Sequence, residues 1–412
     1  MKPTAFNSRA VHGRTIYKGR YVWDGVSSTP VSDGAILVEN GIIAAVGPSR
    51  EILTASDAHT YQWPETTLLP GLIDSHTHLS MDGSLENFLD HMSDSIATLT
   101  LRATAMMRKD VMTGVTTCRC LGDKEFLDVA CREAVEKGEI TGPRLLVATR
   151  GIRAPNGHGF VGYPFKGPTE IRNAIKENIA RGADFLKIYI TGTLKGSGDL
   201  PAYLSREEIK IAIDEAHAAG RRIASHCVGG EGLDWALELG LDTLEHAYHI
   251  TTEQVDRLAQ SNTALVLTPG AVLSDDRVRR LPQSLIQGHL KERDQMFASM
   301  ASTIRAQIPF GVGTDGMHGH LAEDIAFLHA LGATNMQALQ AATLHGARVC
   351  GIDKETGSLE RGKRADIIAV RGQPLQDLDA LREISAVIRN GEIIRVVKDE
   401  NLKHENYFYG TR

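Results

Sequence analysis

The sequence predicts an α/β protein: a (β/α)8 TIM-type barrel with a small β-sandwich domain built from both ends of the chain. Three observations carry this expectation. Between residues 66 and 355, eight apolar runs alternate with amphipathic helical segments. Both ends of the chain instead carry Asn-Gly between short apolar runs. Polar residues of metal-binding type then stand in or just after the apolar runs of the middle section. The expected division is 1–65 for the first part of the small domain, 66–355 for the barrel, and 356–412 for the second part.

The terminal segments come first. AILVENGIIAAVG (35–47) places Asn40-Gly41 between two apolar runs, and ISAVIRNGEIIRVV (384–397) repeats the device with Asn390-Gly391. Asn-Gly supplies the positive φ angles of a type I′ turn, so each segment predicts a hairpin. ADIIAV (365–370) is a further strand candidate. Terminal strands gain stability by joining a shared sheet, which favours one domain over two unrelated hairpins.

The eight runs are 66–76, 114–120, 143–151, 184–192, 221–227, 241–247, 263–269 and 308–316. SREEIKIAIDEAHAAG (205–220) and EGLDWALELG (231–240), between them, space apolar residues as a helix does and end in glycine. Repeated βα units of this kind fit a closed barrel better than an open doubly wound sheet. No G-x-G-x-x-G opens the first helix and no Walker sequence appears, so dinucleotide and P-loop readings lose their support.

Composition narrows the class. The 412 residues include 45 basic and 51 acidic side chains, a net charge of −6, which excludes a general nucleic-acid binder. No stretch approaches the roughly 20 apolar residues of a membrane span. The first twenty residues lack the apolar core of a secretory signal. Five cysteines, an odd number, suit reduced thiols in a cytoplasmic enzyme better than a disulfide framework. The expected partner is a small molecule, with no nucleic acid and no membrane; a homo-oligomer is a base-rate expectation only.

Chemistry in such a barrel sits at the C-terminal ends of the strands. The first run closes on His76-Thr77-His78, whose i, i+2 spacing puts both imidazoles on one side of an extended strand. Alone, such a pair is more often two core or surface histidines; after an apolar strand preceded by Pro-Gly-Leu-Ile-Asp, a divalent ion becomes an equal reading. Lys187 interrupts the run Phe185–Ile190, which a parallel barrel buries on both faces. A buried ammonium costs several kcal/mol or loses its proton. Lys187 either snorkels, pairs with an internal carboxylate, or captures CO2 as a carbamate bridging two metal ions. His226 and His246 follow the fifth and sixth runs, and Asp315 follows the eighth. Each is unremarkable alone, and an aspartate there is ordinarily a helix N-cap.

Jointly, this set resembles the amidohydrolase superfamily in its binuclear-metal branch. LLPGLIDSHTH (68–78), GTDG (313–316) and TGSLERGKRADIIAV (356–370) resemble the family's entry to strand one, its eighth strand and its return to the small domain. GPRLLVATRG, NGHG (156–159) and GADFLKIYITG (182–192) resemble the imidazolonepropionase-like group, which includes Xaa-Pro and Xaa-Arg dipeptidases. The resemblance implies that His76 and His78 hold one divalent ion with Asp315. His226 and His246 would hold a second, with carboxylated Lys187 as the bridge and zinc as the expected ion. It implies hydrolysis of a C–N amide bond in a dipeptide, N-acyl amino acid or similar carboxamide, by a metal-bridging hydroxide with Asp315 as proton shuttle. His158 and Tyr248 are further catalytic candidates, with surface or packing roles equally open. Arg153 could pair a carboxylate or be solvated, and no role is fixed for His318 or His320. Cyclic amide hydrolysis is the nearest rival. Aromatic amine deamination is disfavoured, because Gly229 stands where those relatives carry a glutamate and Lys187 would have no task. A catalytically dead relative would have lost ligands. The segments 79–113, 151–183 and 270–307 are the expected substrate-selecting loops, and 269–295 reads equally as a lid or a packed helix.

Overall fold

The computed structural model describes residues 13–53, 57–192 and 200–396. Residues 1–12, on which most of the signal-peptide reading rests, and Val397 of the second hairpin lie outside the described residues.

Both Asn-Gly hairpins form. Asn40 and Gly41 have φ of 52° and 80°, and Asn390 and Gly391 have 51° and 77°, the left-handed pair that a type I′ turn demands. The two hairpins, Gly34–Glu39 with Ile42–Pro48 and Ile384–Arg389 with Glu392–Val396, belong to one eight-stranded sheet. Its halves meet where His59–Pro70 pairs in parallel with Arg14–Val22 and antiparallel with Ile367–Arg371. The sequence predicts a small β-sandwich domain from both ends of the chain, and the pairing joins the terminal strands among the described residues in one sheet. That sheet curls until its turns touch. Tyr17 Oη donates to the Gly391 carbonyl at 2.7 Å, and a Cβ on Gly41 would lie 2.6 Å from the Asn390 carbonyl oxygen. Glycine is required there by space as well as by φ.

Each of the eight middle runs contains a parallel strand: Leu72–Thr77, Val115–Cys120, Arg144–Val147, Leu186–Tyr189, Ile223–Cys227, Thr243–His246, Ala264–Leu267 and Phe310–Val312. They are paired as two ladders, the first three strands in one and the last five in the other. Single backbone bonds link the ladders at both edges, Asp184 N to Val147 O at 2.8 Å and Asp315 N to His76 O at 2.8 Å. This is parallel α/β content of the kind a TIM-type barrel has. One run is divided differently from expectation. Residues 66–70 finish a strand of the terminal sheet, and the first parallel strand starts only at Leu72. Both pieces are buried, and Leu68, Leu69, Leu72 and Ile73 run apolar across the break, so hydrophobicity alone could not mark the change of sheet.

Local signals set the helices. Ser205 caps Arg206–Ala218 in a capping box with Glu208, and Gly220 beyond its end has φ of 66°. The loop 79–113 ends in the helix Ile96–Met112, and 151–183 ends in Gly167–Ala180. The unreadable 269–295 segment holds two short helices, Gly270–Leu273 and Asp275–Arg279, and the start of Gln283–Arg305. Among the described residues no helix is long and apolar enough to cross a membrane.

Arg144 on the third parallel strand ties the middle section to the terminal sheet. Its guanidinium pairs with buried Asp366 at 2.9 Å and with Asn390 Oδ1 at 2.7 Å. Burial pushes the Asp366 carboxyl up, but Arg144 and hydrogen bonds from Asn390 and Thr356 hold it below its ordinary 3.8. Asp366→Ala should cost about 3 kcal/mol in denaturant unfolding near neutral pH, since it strands Arg144. A lowered carboxyl pKa contributes stability above about pH 4 and loses it on acidification, so the wild type–mutant gap should shrink as pH falls below 4. A pH-independent gap, or none, would contradict this link.

Candidate functional site

His76 lies in the first parallel strand and His78 just beyond it, both buried. Their ring centroids are 5.5 Å apart. Each Nδ1 meets an acceptor: His76 with Glu245 Oε2 at 2.8 Å and His78 with the Gly122 carbonyl at 2.8 Å. A proton on each Nδ1 leaves each Nε2 with its lone pair, the arrangement that metal-ligating histidines use. Both lone pairs face one carboxylate, with Asp315 Oδ1 at 3.4 Å from His76 Nε2 and 3.6 Å from His78 Nε2. Ligand atoms of His76, His78 and Asp315 all lie within 4.8 Å of one another, so the three form a possible metal site. Burial lowers the His78 imidazole to about 3, which keeps it neutral and able to donate its lone pair.

Asp315 is set at an angle by its backbone. Its φ is 50°, an uncommon left-handed value for a side chain with a Cβ, and its N–H is tied to the His76 carbonyl. Arg277 then grips it, donating to its carbonyl at 2.7 Å and to Oδ2 at 3.3 Å. Burial pushes the Asp315 carboxyl up, but the adjacent His76 imidazole and the charge of Arg277 hold it well below the usual carboxylate range.

The other two strand-end histidines stand beside this cluster. His246 is 4.6 Å from His76 and 4.5 Å from His226 between ring centroids. His246 and Ala247 have φ of 81° and 55°, so the chain turns sharply where the ring must point inward. Burial drives both His226 and His246 well below their ordinary pKa. His158 stacks on His226 with centroids 4.2 Å apart, so it faces the cluster rather than open solvent. Tyr248 is buried, and its hydroxyl donates to the Thr268 carbonyl at 3.1 Å; Thr268 Oγ1 in turn lies 2.8 Å from His246 Nδ1.

Lys187 is fully buried, and its Nζ has no hydrogen-bond partner among the described residues. It neither snorkels nor pairs with a carboxylate. Nζ lies 5.0 Å from the Tyr189 ring centroid. Burial draws the ammonium down to about 8, against the opposing charges of Glu245 and Asp315. A useful fraction of neutral amine therefore exists near neutral pH. His76 Nε2 is likewise a buried nitrogen without a hydrogen-bond partner. A pocket of imidazoles and a carboxylate with two orphaned nitrogens is a donor set that fits divalent cations.

Several residues that carry the site escaped the sequence reading. Glu245 precedes His246 in a strand of wholly buried residues, and it accepts from His76 and from Arg119 Nη1 at 3.0 Å. Arg119 also donates to Thr243 Oγ1 at 2.6 Å and lies 4.5 Å from the Phe185 ring centroid. A signal existed for both, because each is a charge inside an apolar strand, as Lys187 is. Arg277 carried none. His318, left without a role, is buried with Nδ1 2.6 Å from Asp110 and Nε2 3.1 Å from the His78 carbonyl. Burial would lower it, but Asp110 outweighs that and lifts it to about 9, so a charged imidazolium braces the His78 backbone. His320 is half-buried and pairs with Glu323 at 3.2 Å.

Known proteins resemble this chain in sequence and in fold. The profile of the Amidohydrolase family matches residues 67–402. Ochratoxinase of Aspergillus niger is 26% identical over 406 residues, spanning 87% of this chain and 81% of its own. Imidazolonepropionase of Symbiobacterium thermophilum is 24% identical over 373 residues, spanning 82% and 84%. A crystal structure of a Xaa-Pro dipeptidase with methionine bound in its active site gives a TM-score of 0.80 at 25% identity, covering 92% of this chain and 99% of that one. Matched by the family profile over most of its length, the chain belongs to the amidohydrolase family.

Proposed function

We propose that the protein is a binuclear metal-dependent hydrolase that cleaves the C–N amide bond of a small substrate such as a dipeptide or an N-acyl amino acid. Lys187 carries this reading. An amine buried beside four histidines and Asp315, with no partner of its own, has a chemical purpose if CO2 converts it to a carbamate between two cations. His76, His78 and Asp315 would hold one ion, His226 and His246 the other, with zinc as the expected metal. The bonds between the two strand ladders support closure into a (β/α)8 barrel around this set. The names of the relatives, ochratoxinase and a Xaa-Pro dipeptidase, support hydrolysis of an amide bond in a small substrate. The imidazolonepropionase relative keeps a cyclic amide as the second reading.

Bound divalent ions would supply Lewis acidity, polarising a carbonyl and making a water acidic near neutral pH. The chain supplies the rest. Asp315 keeps Oδ1 toward the histidines while Arg277 holds Oδ2, so one oxygen can take the proton of the attacking water. That proton is returned to the leaving nitrogen, because an amine departs readily only when protonated. His158, stacked on His226, would hold the substrate carbonyl, and Tyr248, beside His246, would join it by exchanging its bond to Thr268 for one to the substrate. Glu245 and Arg119 orient His76 from behind.

Three outcomes are expected. Asp315→Asn should keep most of its bound metal and lose about 10²–10⁴-fold in kcat, the usual weight of a proton-transfer group; near-normal turnover would remove the shuttle. Lys187→Met should bind at least one divalent ion fewer per chain by elemental analysis, whereas unchanged stoichiometry would end the bridging role. Glu245→Gln should weaken metal affinity by about 10–100-fold in chelator competition, as loss of a group that orients a ligand does. An unaltered affinity would show that His76 needs no such support.

A further inference from the structure

Arg153 is a cation the mechanism above does not use. It belongs to the two-residue strand Ile152–Arg153, which pairs in parallel with the strand carrying Lys187 through Ile152 and Ile188. That register puts Arg153 next to Tyr189. The side chain is anchored by its own loop: Nη1 donates to the carbonyls of Ala154 and Pro155 at 3.1 Å each and of Gly157 at 3.5 Å. Its Nε is buried and has no partner among the described residues. No ion pair among the described residues satisfies this guanidinium. With Nη1 fixed, what remains is the Nε–Nη2 edge, the pair of parallel donors that matches a carboxylate.

The neighbouring group has the same deficit. Tyr189 is buried, and its hydroxyl also lacks a partner among the described residues. Its ring lies 6.3 Å from His158 and 5.8 Å from His226 between centroids. Two unsatisfied donors thus lie together, Arg153 after the third parallel strand and Tyr189 at the end of the fourth, with the Tyr189 ring against the histidine cluster. A buried donor left unpaired costs free energy, so the site favours a ligand that brings acceptors.

We propose that Arg153, with the Tyr189 hydroxyl beside it, receives the carboxylate of the substrate, which makes N-acyl amino acids and dipeptides with a free C-terminus the preferred class. This rests on the amide-hydrolase reading. Neutral amides of the same shape leave the guanidinium edge unpaired and are disfavoured. Arg153 is then a specificity-determining residue.

The test compares the metal-loaded protein with its Arg153→Gln and Arg153→Lys variants on N-acyl amino acids and dipeptides, each as free acid and as C-terminal carboxamide. Wild type should favour the acid by about 100-fold in kcat/KM, mostly through KM, the scale of a charge-assisted bidentate contact. Arg153→Gln should bring the acid-to-amide ratio close to one, and Arg153→Lys should restore part of it. A purely structural clamp on residues 154–157 would lower both series equally, and that result overturns the proposal. Thermal shifts with N-acetylglycine and N-acetylglycinamide separate the two readings. Acid-selective binding that Arg153→Gln abolishes, without turnover of any substrate, upholds the subsite and removes the reaction. Turnover without acid preference removes the subsite and upholds the reaction. Absence of both removes both.

Discussion

Charge without water is the constraint on which this structure turns. The strands around Lys187, Arg119 and Glu245 are wholly buried, yet each carries an ionisable side chain. Burying such a group unpaired costs several kcal/mol, more than a marginally stable fold can absorb repeatedly. Arg119 and Glu245 resolve the problem between themselves, with Thr243 and His76 completing the set. Lys187 is given no protein partner among the described residues. The strands can hold its amine only if the amine sheds its charge or becomes something that cations accept.

The same economy shapes the surrounding backbone. His246, Ala247 and Asp315 all sit at positive φ, each at a cost of about 1–3 kcal/mol. Those bends turn side chains inward at points where a straight strand would point them away. Hydrogen bonds placed at the bends offset the strain: Asp315 N to the His76 carbonyl, and the Tyr248 hydroxyl with Thr268 next to His246. The imidazolium of His318, held by Asp110, fixes the His78 carbonyl from the far side. The histidines are therefore braced from behind by Asp110, His318, Glu245 and Thr268, as metal-ligating histidines are by the groups around them.

Much of this was legible in the sequence because burial and periodicity leave marks. Eight apolar runs each yielded a parallel strand, and both Asn-Gly pairs became turns, since only a few residue types accept their φ values. His76, His78, His226, His246 and Asp315 were visible as polar residues closing apolar runs, and they do converge. The split at Gly71 was not visible, because Leu68, Leu69, Leu72 and Ile73 carry the apolar run across it and only hydrogen bonding distinguishes the two sheets. Glu245 and Arg119 gave the same signal as Lys187, a charge within a buried strand, and needed only the same logic. Arg277 comes from a stretch of mixed charge with no period, and its contact with Asp315 exists only in three dimensions.

The central proposal is that two cations would occupy the space among these side chains, with Lys187, carboxylated by CO2, between them. Anomalous difference maps at the zinc edge, from crystals of the zinc-supplied protein at neutral pH, address it directly. The account predicts two peaks, one against His76, His78 and Asp315 and one against His226 and His246, with density running from Lys187 Nζ between them. A featureless map, with Lys187 ending in a bare amine bonded to protein, would contradict it.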